Sequence, residues 1–252
     1  MASCWAYCLA YQEAAIIGYW ARHYATFAER VIVYVDTDTD DATREIAARE
    51  GAEVRAFHSG GVCDDLAMVA FAQERYKEAR GHADWVVWVD ADEFLYHPRM
   101  ASRLDELKAA GVTVPKVRGY TMVADAPPTG NGQVYDEIRI GLSSAEYGKP
   151  CIFDPMLEVT WSPGKHTASF TGGPVVRSDG TGDPLKLLHY RYLGEEWFVA
   201  RNARNFARVD ENNRRMQHGR ETYPGYAGIY SPAWYAEQRG NAVDVVTEGV
   251  TG

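Results

Sequence analysis

The sequence predicts an α/β fold built on a mostly parallel sheet flanked by helices, and three features carry that prediction. Short strand-like runs occur at residues 4–10, 31–35, 53–57 and 85–89. The stretches between them carry apolar residues at helical spacing, and strands alternating with helices imply crossover units in a parallel sheet. Two of the runs stop abruptly in acids, VIVYVD at Asp36 and WVVWVD at Asp90. Open α/β sheets bind ligands beyond the C-terminal ends of their strands, which is where such acids would sit.

Residues 4–10 form the first strand. Residues 13–27 follow as an amphipathic helix with Ile16, Ile17, Trp20 and Tyr24 on one face. The β-branched strand at 31–35 leads into a helix over 41–50 that Gly51 closes, and 53–57 is a third strand. Asp64 or Asp65 caps a long helix that runs to residue 80 and stops before Gly81. Residues 85–89 are the fourth strand. The C-terminal half is irregular: a strand-like stretch at 112–123, a Pro/Gly loop at 126–132, short strands up to residue 192, and a long polar helix at 195–218. An aromatic tail follows, with Tyr223, Tyr226, Tyr230 and Trp234 among Pro and Gly. Such rings suit sugars as readily as they suit packing. No repeat or linker is visible, so a single domain over 1–252 is expected, with an alternating strand–helix half at 1–97 and an irregular half at 98–252.

A net charge of −9 and a pI near 5.3 argue against a nucleic-acid partner, which would call for a basic face. No basic leader precedes the first strand, and no apolar run approaches the roughly 20 residues of a membrane span. Cys4, Cys8, Cys63 and Cys151 fit neither a CxxC pair nor a disulfide framework, so reduced thiols in a cytoplasmic protein are expected. Arg exceeding Lys, with plentiful Ala, suggests a high-GC bacterial genome.

The run from Trp85 to Leu95 holds the strongest chemical signal. Five apolar residues precede Asp90 and Asp92 at i and i+2, and burying neighbouring carboxylates is costly unless a cation neutralises them. Asp90 and Asp92 are therefore expected to face a divalent metal. A second cluster, Asp36 to Asp41, fails as a calcium loop, because Asp41 stands where glycine is needed and Ala47 where glutamate is. It fits locally as an aspartate-nucleophile phosphatase motif led by Asp36, as a strand end binding a base or ribose, or as a solvated turn that caps the next helix.

These motifs in this order resemble GT-A-fold (Rossmann-like) glycosyltransferases of the family-2-like group with a DADEF metal motif, related to glycosyltransferase family 92. The resemblance rests on Tyr11-Gln12-Glu13, on Asp36, Thr39, Asp41 and Thr43, on Asp90-Ala91-Asp92-Glu93-Phe94-Leu95, on Gly148-Lys149-Pro150, on His166, and on His189-Tyr190 with Glu196, Phe198 and Arg201. Gln12, Asp38, Gly194 and Arg201 replace the usual Asn, Gly, Ser and Lys, and residues 119–125 lack the aromatic acceptor motif often found there.

The resemblance implies sugar transfer from a nucleotide-sugar donor, UDP-linked and inverting, to a small-molecule or glycan acceptor, with Mn²⁺ or Mg²⁺ as cofactor. It implies Asp92 as a direct metal ligand, Asp90 at the metal or the ribose, and His189 as a third ligand. Glu93 would support the site from behind. Tyr11, Glu13 and Asp36 would frame the base and ribose, Asp65 could reach the base, and Lys149 and Arg201 could meet the diphosphate. His166 is the favoured catalytic residue, with Glu158, Asp125 and Asp136 as other candidates for the base. The alternatives are the Asp36 phosphatase and a nucleotide-sugar-binding protein without turnover.

Overall fold

The computed structural model describes residues 1–179, 183–216 and 232–247. Its first sheet has the order β3-β2-β1-β4-β8, formed by β1 (Cys4–Ala10), β2 (Arg30–Asp36), β3 (Glu53–Phe57), β4 (Trp85–Trp88) and β8 (Ile152–Phe153). β1 pairs in parallel with β2 and β4, β2 pairs in parallel with β3, and only the edge strand β8 runs antiparallel. The predicted mostly parallel sheet is therefore present.

This sheet is buried on both faces, which explains why its strands read as continuous apolar runs rather than alternating ones. Ala6, Cys8, Val33, Val35, Val87 and Val89 pack on one side against Ile17, Trp20 and Tyr24 of α1 (Ile17–Tyr24). Tyr7, Ile32, Tyr34, Val86 and Trp88 pack on the other against Val69 and Ala72 of α3 (Asp65–Arg75). Between them α2 (Thr43–Arg49) joins β2 to β3. α1 is shorter than the predicted 13–27, because its N-terminal turn is built on the Glu13 carbonyl and its last residues close in tight turns. Asp64 caps α3 as expected, accepting from the amides of Leu66 and Ala67, but the predicted helix to residue 80 passes into a 3₁₀ turn at Tyr76–Ala79.

After β4 the chain leaves the first sheet at Asp90–Asp92 and enters the second as β5 (Glu93–Tyr96). α4 (Met100–Ala109) then leads to β6 (Val117–Ala124), the short α5 (Val134–Glu137) and β7 (Ile140–Ser143). Beyond β8, a hairpin of β9 (Glu158–Trp161) and β10 (Ala168–Thr171) covers the α3 side, and β11 (Leu185–Leu193) runs parallel to β6 and antiparallel to β5. The second sheet has the order β12-β7-β6-β11-β5, closed at one edge by β12 (Val243–Asp244).

The polar helix predicted at 195–218 is two helices, α6 (Glu195–Arg208) and α7 (Glu211–Met216). Asp210 divides them by accepting from the amides of Asn212 and Asn213, an N-cap that starts a new helix. α8 (Pro232–Asn241) precedes β12. The aromatic tail at Tyr223, Tyr226 and Tyr230 lies outside the described residues, as does the side chain of Trp234. No helix among the described residues is long and apolar enough to cross a membrane.

Candidate functional site

The C-terminal ends of β1, β2 and β4 deliver Tyr11 with Glu13, Asp36, and Asp90 with Asp92 to one edge of the parallel sheet. Facing them are His189 from β11, Arg201 and Arg208 from α6, and Lys165 with His166 from the turn after β9. The space between is a two-part cleft. One compartment, about 220 Å³, is lined by Tyr11, Asp36, Phe57, Ser59, Asp65 and Arg208 among others. The second, about 260 Å³, is lined by Asp92, Tyr147, Lys149, His166, His189 and Arg191 among others. Asp65, Asp90 and Arg201 line both.

Each carboxylate of the Asp90–Glu93 turn meets a cation. Asp92, almost fully buried, has Arg201 Nη1 at 2.8 Å and His189 Nε2 at 3.2 Å from Oδ2. Burial opposes its ionised form, but Arg201 and His189 outweigh burial and hold the carboxyl well below its usual range. Asp90 is half-buried, with Lys165 Nζ at 2.9 Å from Oδ1 and Lys149 Nζ at 3.5 Å from Oδ2. Here too burial is overcome, by the two lysines, and the carboxyl stays ionised. Glu93 points inward: Lys149 Nζ lies 2.5 Å from Oε1, while Oε2 accepts from the Asp90 amide at 3.0 Å. Burial opposes the charge on Lys149 as well, and Glu93 and Asp90 keep it protonated. Glu13 receives Arg201 Nη2 at 2.8 Å, yet its burial still leaves the carboxyl above its ordinary pKa.

The predicted metal set of Asp90, Asp92 and His189 does not assemble as one group. Among the described residues no three His, Cys, Asp or Glu side chains form a ready cluster, and Asp90 is engaged by the two lysines. Asp92 and His189 alone fit a divalent ion. Two ligands at about 2.1 Å in adjacent positions stand about 3 Å apart, close to the 3.2 Å between Asp92 Oδ2 and His189 Nε2. Tyr147 packs edge-on to the His189 ring at 4.2 Å and fixes its plane. Such an ion would fill its remaining positions with substrate oxygens and water, as Mg²⁺ does.

Asp36 lies at the far end of the first compartment. Its Oδ2 accepts from Arg208 Nη2 at 2.6 Å and its Oδ1 from the Asp38 amide at 3.2 Å. Burial pushes its pKa up, but Arg208, Ser59 and that amide lower it more. Both oxygens are thus engaged, whereas a phosphatase nucleophile needs one aimed at phosphorus. Tyr11 sits beside a strained turn, since Gln12 holds φ 52°, a region few non-glycine residues occupy.

Of the catalytic candidates, only His166 lines the cleft. Its Nδ1 lies 3.2 Å from the Glu146 carbonyl oxygen. A carbonyl can only accept, so Nδ1 carries the proton and Nε2 keeps a lone pair in the neutral ring. Glu158 is exposed on β9, where Arg80 and Lys77 pair with it. Asp125 pairs with Arg239 at 2.6 Å beside a separate depression. Asp136 closes a capping box at the start of α5. These three stand outside the cleft.

Lys165, Arg208 and Ser59 join the site without having been singled out from sequence. Arg208 was detectable, since it stands seven residues after Arg201 and so on the same helix face. The arrangement can hold a flat, hydrogen-bonding group in one compartment and a multiply charged anion at the junction.

Comparison with known proteins adds the following. No protein-family model and no curated protein matches the chain. Similar solved structures include glucosyl-3-phosphoglycerate synthase from Mycobacterium tuberculosis in complex with Mn²⁺, UDP and glucosyl-3-phosphoglycerate, at 20% identity over 47% of this chain and 44% of that one, with a TM-score of 0.34. Mannosyl-3-phosphoglycerate synthase from Rubrobacter xylanophilus is similar at 19% identity over 47% of this chain and 40% of that one, with a TM-score of 0.32. The chain spans less than half the length of either structure.

Proposed function

We propose that the chain is a GT-A glycosyltransferase that moves a sugar from a nucleotide-sugar donor, UDP-linked and with inversion, to a hydroxyl acceptor, using Mn²⁺ or Mg²⁺. The observation that carries the reading is the two-part cleft at the strand ends, with an aromatic and carboxylate compartment joined to a cation-rich one at Asp90 and Arg201. A nucleotide sugar is divided in the same way, into a flat base with its ribose, a charged diphosphate and a sugar. Residues 1–97 would serve the nucleotide and 98–252 the acceptor.

In this reading Tyr11 and Asp36 receive the base and ribose. Arg201, Lys165 and Lys149 offset the charge that grows on the departing diphosphate. Arg201 exchanges its contacts with Asp92 and Glu13 for phosphate oxygens. A divalent ion held by Asp92 and His189 would supply further Lewis acidity at the diphosphate. His166 takes the acceptor proton at Nε2, whose lone pair the Glu146 carbonyl leaves free.

Thermal denaturation with nucleotides and nucleotide-sugars, with and without Mn²⁺, tests this. A true donor at a hundredfold excess over Kd stabilises by about 2.7 kcal/mol. Asp92→Asn is expected to abolish the metal-dependent part of that shift and most donor hydrolysis. It should also lower the unliganded melting temperature, because it leaves the buried Arg201 and His189 without their carboxylate. No metal-dependent shift with any nucleotide would sink the reading.

A further inference from the structure

The first compartment is already partly filled, and its occupant resembles a base in shape and bonding. The Arg208 guanidinium carbon lies 3.5 Å from the centroid of the Tyr11 ring. Its Nη2 donates to Asp36 Oδ2 and to Ser59 Oγ, each at 2.6 Å, and its Nε donates to the Gly61 carbonyl at 3.3 Å. A planar group therefore covers the aromatic face with an N–H edge turned to a carboxylate and a hydroxyl. A nucleobase stacked on Tyr11 and bonded to Asp36 would need the same ring face and the same acceptors.

We propose that Arg208 is a built-in competitor for the nucleobase, and that the subsite it covers takes a base with a ring N–H, uracil or guanine, in preference to adenine or cytosine. The proposal rests on the nucleotide-sugar reading above.

The preference follows from Asp36. An ionised carboxylate only accepts hydrogen bonds. Uracil N3–H and guanine N1–H bring a donor to the middle of their pairing edge. Adenine N1 and cytosine N3 bring a lone pair to the same place, which the carboxylate repels. A site built to bond one pattern rejects the other because its buried polar groups are left unpaired. Ser59 does not discriminate, since a hydroxyl donates or accepts.

Displacement needs only the side chain to move. The Arg208 backbone is held separately, its carbonyl accepting from the Cys63 amide at 2.6 Å, with Val209 paired beside Cys63. Asn213 Nδ2 adds a bond to the Cys63 carbonyl at 3.1 Å. Asp38, half-exposed and 3.9 Å from Arg208 Nη2, offers the displaced guanidinium a second partner nearer solvent. A ligand that binds only when Arg208 is away has its affinity reduced by the fraction of time the subsite is open.

Calorimetric titration with UDP, GDP, ADP and CDP in the presence of Mn²⁺ tests both parts. Wild type is expected to bind UDP and GDP more tightly than ADP and CDP. Arg208→Ala is expected to tighten every nucleotide whose base enters the subsite about tenfold, as for a subsite open one-tenth of the time, with UDP and GDP keeping their advantage. Arg208→Met, which keeps the aliphatic stem, should give the same sign and replaces the alanine variant if that folds poorly. Asp36→Asn should erase the advantage of UDP and GDP, because an amide offers donor and acceptor alike. Weaker UDP and GDP binding in the Arg208 variants, or equal affinity for all four nucleotides in wild type and variant alike, would overturn the proposal. If neither wild type nor variant binds any nucleotide, the nucleotide-sugar reading fails with it. If wild type binds and Arg208→Ala does not tighten, only the competitor falls.

Discussion

His23 and His189 are both buried imidazoles, and the atoms facing them give them different work. His189 Nε2 faces the Asp92 carboxylate, and its Nδ1 is buried with no hydrogen-bond partner among the described residues, so its chemistry points at the cleft. His23 lies in the core of α1 with Nε2 2.9 Å from the Leu95 carbonyl oxygen and aromatic rings around it. Burial lowers its pKa to about 4, against the weaker pull of that carbonyl. An unfolded imidazole titrates near 6.5, so as pH falls below that value the unfolded chain takes up the proton first. The stability is whole above about pH 6.5 and declines until about pH 4, by up to about 3 kcal/mol. Asp90 and Asp92 are held below the ordinary carboxyl range, so their contribution is lost only at lower pH. His23→Gln should be less stable than wild type at pH 7.5 yet lose less between pH 7 and 4.5 in urea denaturation. Equal losses in the two proteins would contradict this. At the same scale, Asp36, Asp90 and Asp92 were legible in the sequence because strand ends concentrate acids that an apolar run cannot hide. Lys165 was not, because its partner lies 75 residues away in the chain, and Arg208 was detectable only as a second basic residue on the Arg201 helix face, its partner Asp36 lying 172 residues away.

Elements were legible where their period was regular and blurred where the chain changes direction. The four strands of the first half stand almost where alternation with helices put them. The run from Trp85 to Leu95 reads as one strand with an acidic end, but it is two strands in two sheets, joined by the turn in which the Glu93 amide reaches the Asp90 carbonyl. The sequence reading assigned no element to α4, although Met100, Leu104 and Leu107 are buried at helical spacing. At the joint between β11 and α6, Gly194 holds φ 93° and ψ 148°, a conformation essentially closed to residues with a Cβ. A Cβ built there falls 2.4 Å from the Asp125 carbonyl oxygen. Gly194→Ala is expected to destabilise the protein by about 2 kcal/mol, within the range for forced backbone strain, and to misplace Arg201, which α6 carries into the cleft. Equilibrium denaturation checks the first part and nucleotide affinity the second. Wild-type stability in the variant would show that the joint yields cheaply.

At the scale of the whole molecule, the cleft exists because two sheets share the acidic turn. The parallel sheet supplies its carboxylates, while the second sheet and α6 supply His189 and the arginines, so neither half carries balanced charge without the other. Composition foretold none of this, since a chain of net charge −9 gives no hint of an inner cluster of cations. The clasp over the first compartment is likewise shared. The Cys63 amide bonds the Arg208 carbonyl, the Asp210 amide bonds the Cys63 carbonyl at 3.2 Å, and the Asp65 amide bonds Asn213 Oδ1 at 3.2 Å. Residues 58–65 and 205–213 therefore cannot open independently without breaking these bonds. Segments joined in this way exchange their amide hydrogens as one cooperative unit. UDP with Mn²⁺ should slow exchange in both segments by the same factor, while the β12–β7 edge, remote from the cleft, keeps its rate. Mass-resolved hydrogen exchange with and without ligand reads this directly, and protection of one segment alone would mean that α6 and the loop after β3 move separately over the bound nucleotide.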